Sequence, residues 1–206
     1  LIGLTPFVVF YFYSAEKISQ LTLDTSKDRL VSLRETKKIQ IESYFKSIAS
    51  QANTYSKNFM IVDAMSKFTT AFNQVEQQTP SINTEMLENK LIERYRYQQE
   101  NTPGVNSNAL NRWIPKGTTS KILQNLYISE NQHPNGEKHL LNAASDKTVY
   151  SQTHKQYHPP IRQFLEEFGY YDIFLVDAET GFVVYSVFKE VDYATNLKTG
   201  PYKDSG

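Results

Sequence analysis

The chain has 206 residues, with 22 Lys and Arg against 22 Asp and Glu, and no cysteine. That length allows one domain with a real core, or a domain with an extension. Balanced charge removes the basic excess that gathers phosphates, so nucleic acid is not an expected partner; the missing thiols exclude a disulfide scaffold, a cysteine-ligated zinc and a cysteine nucleophile, and leave a periplasmic location open.

Leu1–Tyr13 carries no charge. As helix it would reach about 20 Å, short of a roughly 30 Å hydrocarbon core. It reads as the outer part of a membrane helix, a signal-peptide apolar region, or a buried segment. A signal peptide carries Met and basic residues ahead of the apolar part, whereas the crowd Phe10-Tyr11-Phe12-Tyr13 suits an aromatic belt at a bilayer surface. Residues 1–13 are therefore expected to be a truncated transmembrane segment, in which Pro6 is tolerated.

Ser14 to about Phe72 contains neither Gly nor Pro, which predicts a long, interruptible helix. Residues 14–76 form the expected signalling and dimerisation helix. Ile41, Ile48, Tyr55 and Val62 recur every seven residues, with Phe45, Ala52 and Phe59 four residues after the first three. Leu23, Leu30 and Tyr44 lie on another phase, so the stripe drifts around the helix. It serves either to pair two subunits or to pack on this chain's own sheet and helices.

Residues 77–206 are expected to hold a helical middle and a sheet segment. Gln74–Thr84 is a polar break with Pro80, and Ser81 or Thr84 can cap a helix from Glu85 to about Gln99. Turn chemistry fills Asn101–Asn108 and surrounds Lys116-Gly117. Ile122–Ile128 reads as a short helix, His133-Pro134-Asn135-Gly136 as a stop, and Glu137–Ala144 as another short helix. Thr148–Phe168 reads as helical on either side of Pro159-Pro160, the second proline starting a helix over 161–168 that Gly169 ends.

Tyr171–Val176 and Phe182–Phe188 are rich in aromatic and β-branched residues and flank Asp177-Ala178-Glu179-Thr180-Gly181, which predicts a β-hairpin. Two strands make no independently stable sheet, so further strands are expected between Trp113 and Tyr150 or beyond Gly206. The string Tyr171–Tyr202, with its strand, acidic turn, strand, Phe188-Lys189-Glu190-Val191-Asp192 and Gly200-Pro201-Tyr202, resembles the sheet segment of Cache-type (PAS-like) sensor domains of bacterial methyl-accepting chemotaxis receptors. Arg34–Phe72, with Ile41-Glu42-Ser43-Tyr44-Phe45 and Ala64-Met65 through Phe68 and Phe72, resembles the long helix leaving the first membrane span of those receptors.

The resemblance covers about a third of the chain. It implies an α+β fold in which a long N-terminal helix and further helices pack on a PAS-like antiparallel sheet. It further implies an inner-membrane receptor with this part periplasmic, a homodimer through the long helix, and relatives that continue past the Gly-Pro-Tyr with more strands, a second span and a cytoplasmic output. The same input domain also precedes cyclases and histidine kinases.

PAS-like sensors hold small molecules against the sheet with aromatic walls and a few charges. The candidates here are Trp113, Tyr157, Arg162, Tyr171, Tyr185, Lys189 and Asp192, with Tyr150 and Tyr170 nearby. Arg162 can hold a carboxylate by two parallel bonds or pair with Glu166. Asp192 can take an amine or be neutralised by Lys189. Tyr171 and Tyr185 also read as one-sided sheet packing. The arginine, tryptophan and tyrosine spacing of amino-acid-binding two-module Cache receptors is not found. No G-x-S-x-G, S-x-x-K or glycine-rich phosphate loop occurs, so no enzyme and no cofactor is expected. His154 and His158, four apart, fall on one helix face, where His139 would be a third metal ligand; packing or hydrogen-bonding histidines are the simpler reading, and a metalloenzyme or a ligand-free interaction domain are the rival functions.

Overall fold

The Gly- and Pro-free stretch forms two helices rather than one. The computed structural model describes residues 5–105 and 108–204, so the first four residues of the apolar opening and part of the Asn101–Asn108 turn lie outside the described residues. α1 spans Thr5–Ser56 and α2 spans Phe59–Gln78. Asn58 interrupts them: its backbone is extended, and its side chain accepts a hydrogen bond from the Met60 amide at 2.9 Å, an N-cap inside an otherwise continuous apolar pattern.

Leu1–Lys57 and Asn58–Gly206 are two separate units. No described residue of α1 is buried, and Ile41 and Phe45 are 57% and 62% exposed. Thr22, Thr25 and Ser26 return their hydroxyls to carbonyls one turn back, which satisfies them without a partner element. Among the described residues no helix is both long and apolar enough to cross a membrane.

Within the second unit, α2 buries Ile61, Ala64, Phe68, Ala71, Phe72 and Val75, a 3.6-residue pattern. Phe59 is 84% exposed and Val62 is exposed too, so the seven-residue stripe does not continue into this core face. α3 (Thr84–Glu100) is capped by Asn83, not by Ser81 or Thr84, because the Asn83 side chain reaches the Met86 amide at 3.0 Å. Leu87, Leu91 and Tyr95 form its buried edge. α4 (Ala109–Trp113) and α5 (Thr118–Gln124) follow, and α5 passes into a π-helical turn, Asn125–Ser129.

Only Lys138–Leu140 of the stretch expected as a short helix turns helical, as one 3₁₀ turn. Further along, α6 runs unbroken from Val149 to Phe168 through both prolines. The carbonyls that Pro159 and Pro160 leave unpaired belong to Lys155 and Gln156, which are exposed and open to water, while the opposite face is held by burial. Gly169 ends α6 in the left-handed conformation, φ 67°, as its position predicts.

β1 (Phe174–Val176) and β2 (Val183–Ser186) pair antiparallel, with a bulge between Leu175 and Val176. Asp177 builds the turn by accepting from the Glu179 amide and the Thr180 hydroxyl. Among the described residues no strand lies between Trp113 and Tyr150. Instead, residues 194–197 return along β2: the Val183 amide donates to Thr195 at 2.9 Å, and Leu197 donates to Gly181 at 2.8 Å. Gly200 closes this return; a Cβ there would lie 2.3 Å from the Asn196 carbonyl oxygen. The fold is thus mostly helical with a two-stranded antiparallel sheet, in the α+β class. α2 packs on α6, α5 and β2.

Candidate functional site

α6 is the element that gathers chemistry. Thr148 caps it, accepting from the Ser151 amide at 3.2 Å, and Asp146 in turn holds Thr148 and Ser151. Tyr150, His154, Tyr157, His158, Ile161 and Leu165 recur at three and four and form its buried face. The spacing of His154 and His158 does put their rings together, stacked at 4.3 Å.

His158 bridges two elements. Its Nε2 lies 2.6 Å from the His139 carbonyl, and its Nδ1 lies 2.7 Å from the Tyr185 hydroxyl on β2. A carbonyl only accepts, so Nε2 carries the hydrogen and Nδ1 accepts from Tyr185. His154 donates from Nδ1 to the Asn142 carbonyl at 2.6 Å; its Nε2 is buried without a partner. Tyr127 lies over the His154 ring at 4.6 Å.

Lys189 completes the group. It is fully buried, sits at φ 55°, and donates from Nζ to the Val187 and Ser186 carbonyls at 3.0 and 3.2 Å. The Tyr127 and Tyr185 rings lie 5.6 and 5.5 Å from the ammonium. Burial pulls its pKa down to about 7, with Asp172 opposing and Arg162 and Lys138 assisting. Asp172 accepts three amides, from Ile173, Val187 and Phe188, through Oδ1; its Oδ2 is buried without a partner, and burial lifts its pKa to about 6.

Arg162 clamps the segment opposite α6. Its Nη1 donates to the His139 and Leu140 carbonyls and to Asn142 at 3.2–3.3 Å, while Nε stands 3.6 Å from Glu166. The His139 ring lies on Phe188 at 4.3 Å. Residues 139–142 are thus tied to α6 by Arg162, His154 and His158 together.

The seven residues expected to line one pocket are divided. Tyr185, Lys189 and Arg162 share the group just described. Tyr157 faces α2, donating to Asp63 and accepting from Lys67 at 2.7 Å. Tyr171 is 85% exposed and stacks on Phe188. Trp113 and Asp192 belong to a second grouping. Trp113 meets Tyr95 edge-on at 6.1 Å; the Tyr95 hydroxyl donates to Gln124, and Gln124 donates to the Tyr193 carbonyl at 2.7 Å. Asp192 Oδ1 is buried without a partner; burial, helped by Glu190, raises its pKa, and its charge acts on Tyr95 and Tyr202. Arg112 donates to the Pro201 carbonyl at 3.2 Å.

Open hollows lie elsewhere. One of about 510 Å³ is bounded by Phe72, Glu76, Thr118 and Phe182, and another of about 550 Å³ by Glu88, Arg96, Leu110 and Lys116. Among the described residues no three His, Asp or Glu side chains are arranged to hold a metal ion. Asp172 and Tyr127 enter the α6 group without a local sequence signal, since each arrives from a different segment, while His139, expected as a third metal ligand, enters through its carbonyl and its ring contact with Phe188. No family model, curated protein or solved structure matches the chain.

Proposed function

We propose that this chain is the extracytoplasmic sensing domain of a bacterial inner-membrane chemoreceptor, built on a Cache (PAS-like) plan. Residues 58–206 take a small molecule, α1 pairs with α1 of a second copy, and the apolar opening seats the assembly at the bilayer. The observation that carries the reading is Asp192. Its Oδ1 is buried without a hydrogen-bond donor, and its charge acts on Tyr95 and Tyr202, the first of which meets Trp113 edge-on. Backbone amides of Asp192 and Tyr193 act on the carboxylate but leave Oδ1 an open acceptor that a cationic amine can fill, and aromatic walls favour the same ligand. Signalling further requires that the ligand favour one arrangement over another, since equal affinity shifts nothing. The same module serves equally well ahead of a cyclase or histidine kinase output.

The test is thermal unfolding of the 206-residue chain against a panel of primary and quaternary amines. A ligand at 100 times its Kd adds about 2.7 kcal/mol, or roughly 5–10 °C in Tm. Asp192→Asn should abolish the shift. No stabilisation by any amine, or a shift that survives Asp192→Asn, ends the ligand assignment. A second reading is favoured by the exposed Ile41 and Phe45 of α1: a dimerisation domain with no small ligand. It gains if sedimentation shows a dimer while the panel leaves Tm unmoved.

A further inference from the structure

The two histidines of α6 occupy an environment that suits only their neutral forms. His158 is engaged at both nitrogens, one hydrogen given to His139 and one accepted from Tyr185. Protonating it would set an Nδ1–H against a hydroxyl that now donates to it. Protonating His154 would place a charged N–H at Nε2, a nitrogen buried without a hydrogen-bond partner. The rings are also stacked at 4.3 Å, so two positive charges would lie face to face.

Among the described residues no carboxylate hydrogen-bonds to either ring. From the 139–142 segment come the His139 ring and two carbonyls; from α6 itself comes Arg162; from β2 and the residues after it come Tyr185 and the buried Lys189; from the π-helical turn comes Tyr127; and α2 presents the apolar Phe68. Asp172 is the carboxylate coupled to Lys189, and its Oδ1 is already taken by three amides. Glu166 reaches toward His139, at 3.8 Å, on the outer side.

We propose that His154 and His158 form a proton-operated latch that holds α6 against the sheet while both rings are neutral and releases it on acidification. Burial, the largest cause, and then the charge on Lys189 hold both imidazoles below their ordinary value of 6.5, His158 at about 2. Released rings take up protons near 6.5 and latched rings do not, so below that pH the open state binds more protons and is favoured as pH falls. Asp172 works in the opposite direction: its raised pKa lets the closed state hold a proton between 3.8 and about 6, which cancels one histidine at most. The open population should therefore grow by about tenfold per pH unit or more below pH 6. The latch operates whether or not Asp192 binds an amine.

Amide hydrogen exchange on the 206-residue chain, corrected for intrinsic rates, tests this at pH 6.5 and 5.5. The amides of Tyr157, His158 and Ile161 should lose about tenfold or more of their protection over that interval. They should also exchange faster than Leu87 and Leu91 of α3 at pH 5.5. Equal α6 protection at both pH values overturns the latch, and so does α6 exchanging with the same opening free energy as α3 throughout, which would be whole-domain unfolding. The His154→Gln/His158→Gln chain should lose the pH dependence; retention of it is a further refutation. Should that variant not fold, the imidazole Cε1–H resonances of the unmodified chain decide: protonation coincident with α6 opening supports the latch, and protonation with α6 still protected removes it.

Discussion

α1 and α6 are both long helices, and they exist for opposite reasons. α1 runs 52 residues with no buried described side chain. Its interior is free of Gly and its one Pro is at the start, so helix formation meets no local obstacle. α6 is 20 residues long and contains two adjacent prolines, each costing about 3 kcal/mol in a helix interior. Eight of its residues are buried. Tertiary burial therefore overrides a helix-breaking dipeptide in α6, while α1 forms with none of its described residues buried. Local chemistry can thus specify a helix, but only contact with other elements gives it a defined neighbour.

The largest expected effect breaks that contrast into numbers. Phe68 of α2 packs on Tyr150, His154, Tyr157 and Tyr185, three of them on α6. Phe68→Ala should cost about 3–5 kcal/mol through lost burial and the cavity left behind. Phe45→Ala in α1 deletes the same side chain from an exposed position and should cost within about 0.5 kcal/mol in the monomer. Urea unfolding of both variants at low protein concentration compares them. A Phe45 penalty that grows with protein concentration would reveal a partner for α1, and an equal penalty at high dilution would contradict the division between the two helices.

Next in size is the pH dependence set by Lys189. Its folded value of about 7 lies below its ordinary 10.5, so between those limits the unfolded chain holds a proton that the folded chain lacks. Stability then rises with pH across that window, by up to about 1.4 kcal/mol per pH unit. Lys189→Met keeps the apolar stem in place and should flatten the rise between pH 7 and 9, at the cost of the two hydrogen bonds to Ser186 and Val187. Urea midpoints at pH 7, 8 and 9 read the slope. An unchanged slope in the variant would mean that the amine reaches water and is not enclosed by Tyr127 and Tyr185.

The sequence discloses the parts that local chemistry decides. The hairpin follows from the alternating apolar runs around Asp177–Gly181, the stop at Gly169 from its left-handed turn, and the adjacency of His154 and His158 from a spacing of four. What escapes is whatever depends on other segments. Pro159-Pro160 reads as a break because nothing local announces that Lys155 and Gln156 face water. Lys189 reads as a strand-end charge, although the fold encloses it between two tyrosines. The seven candidate ligand residues are aromatic or charged, a criterion that does not separate the Lys189 group from the Asp192 group. Each histidine gives its hydrogen to a carbonyl, a group every residue carries, so no side-chain pattern could name that acceptor, and the Tyr185 hydroxyl reaches His158 from a different segment.

The smallest expected effect concerns Asn58, where the self-supporting helix gives way to the packed one. Its side chain satisfies the Met60 amide, one of the orphan donors at the start of α2. Asn58→Ala should cost about 1 kcal/mol, less than a core deletion, because exposure lets water replace the missing acceptor. Alanine also favours helix, so part of the loss returns if residues 57–58 turn helical and join α1 to α2. Two readouts separate these outcomes. Loss of a cap alone lowers the protection of the Met60 amide and leaves the helical circular dichroism unchanged, whereas fusion raises both. A variant as stable as the parent with an unchanged Met60 amide would show that the break is imposed by the packing of Ile61 and Ala64 and not by the cap.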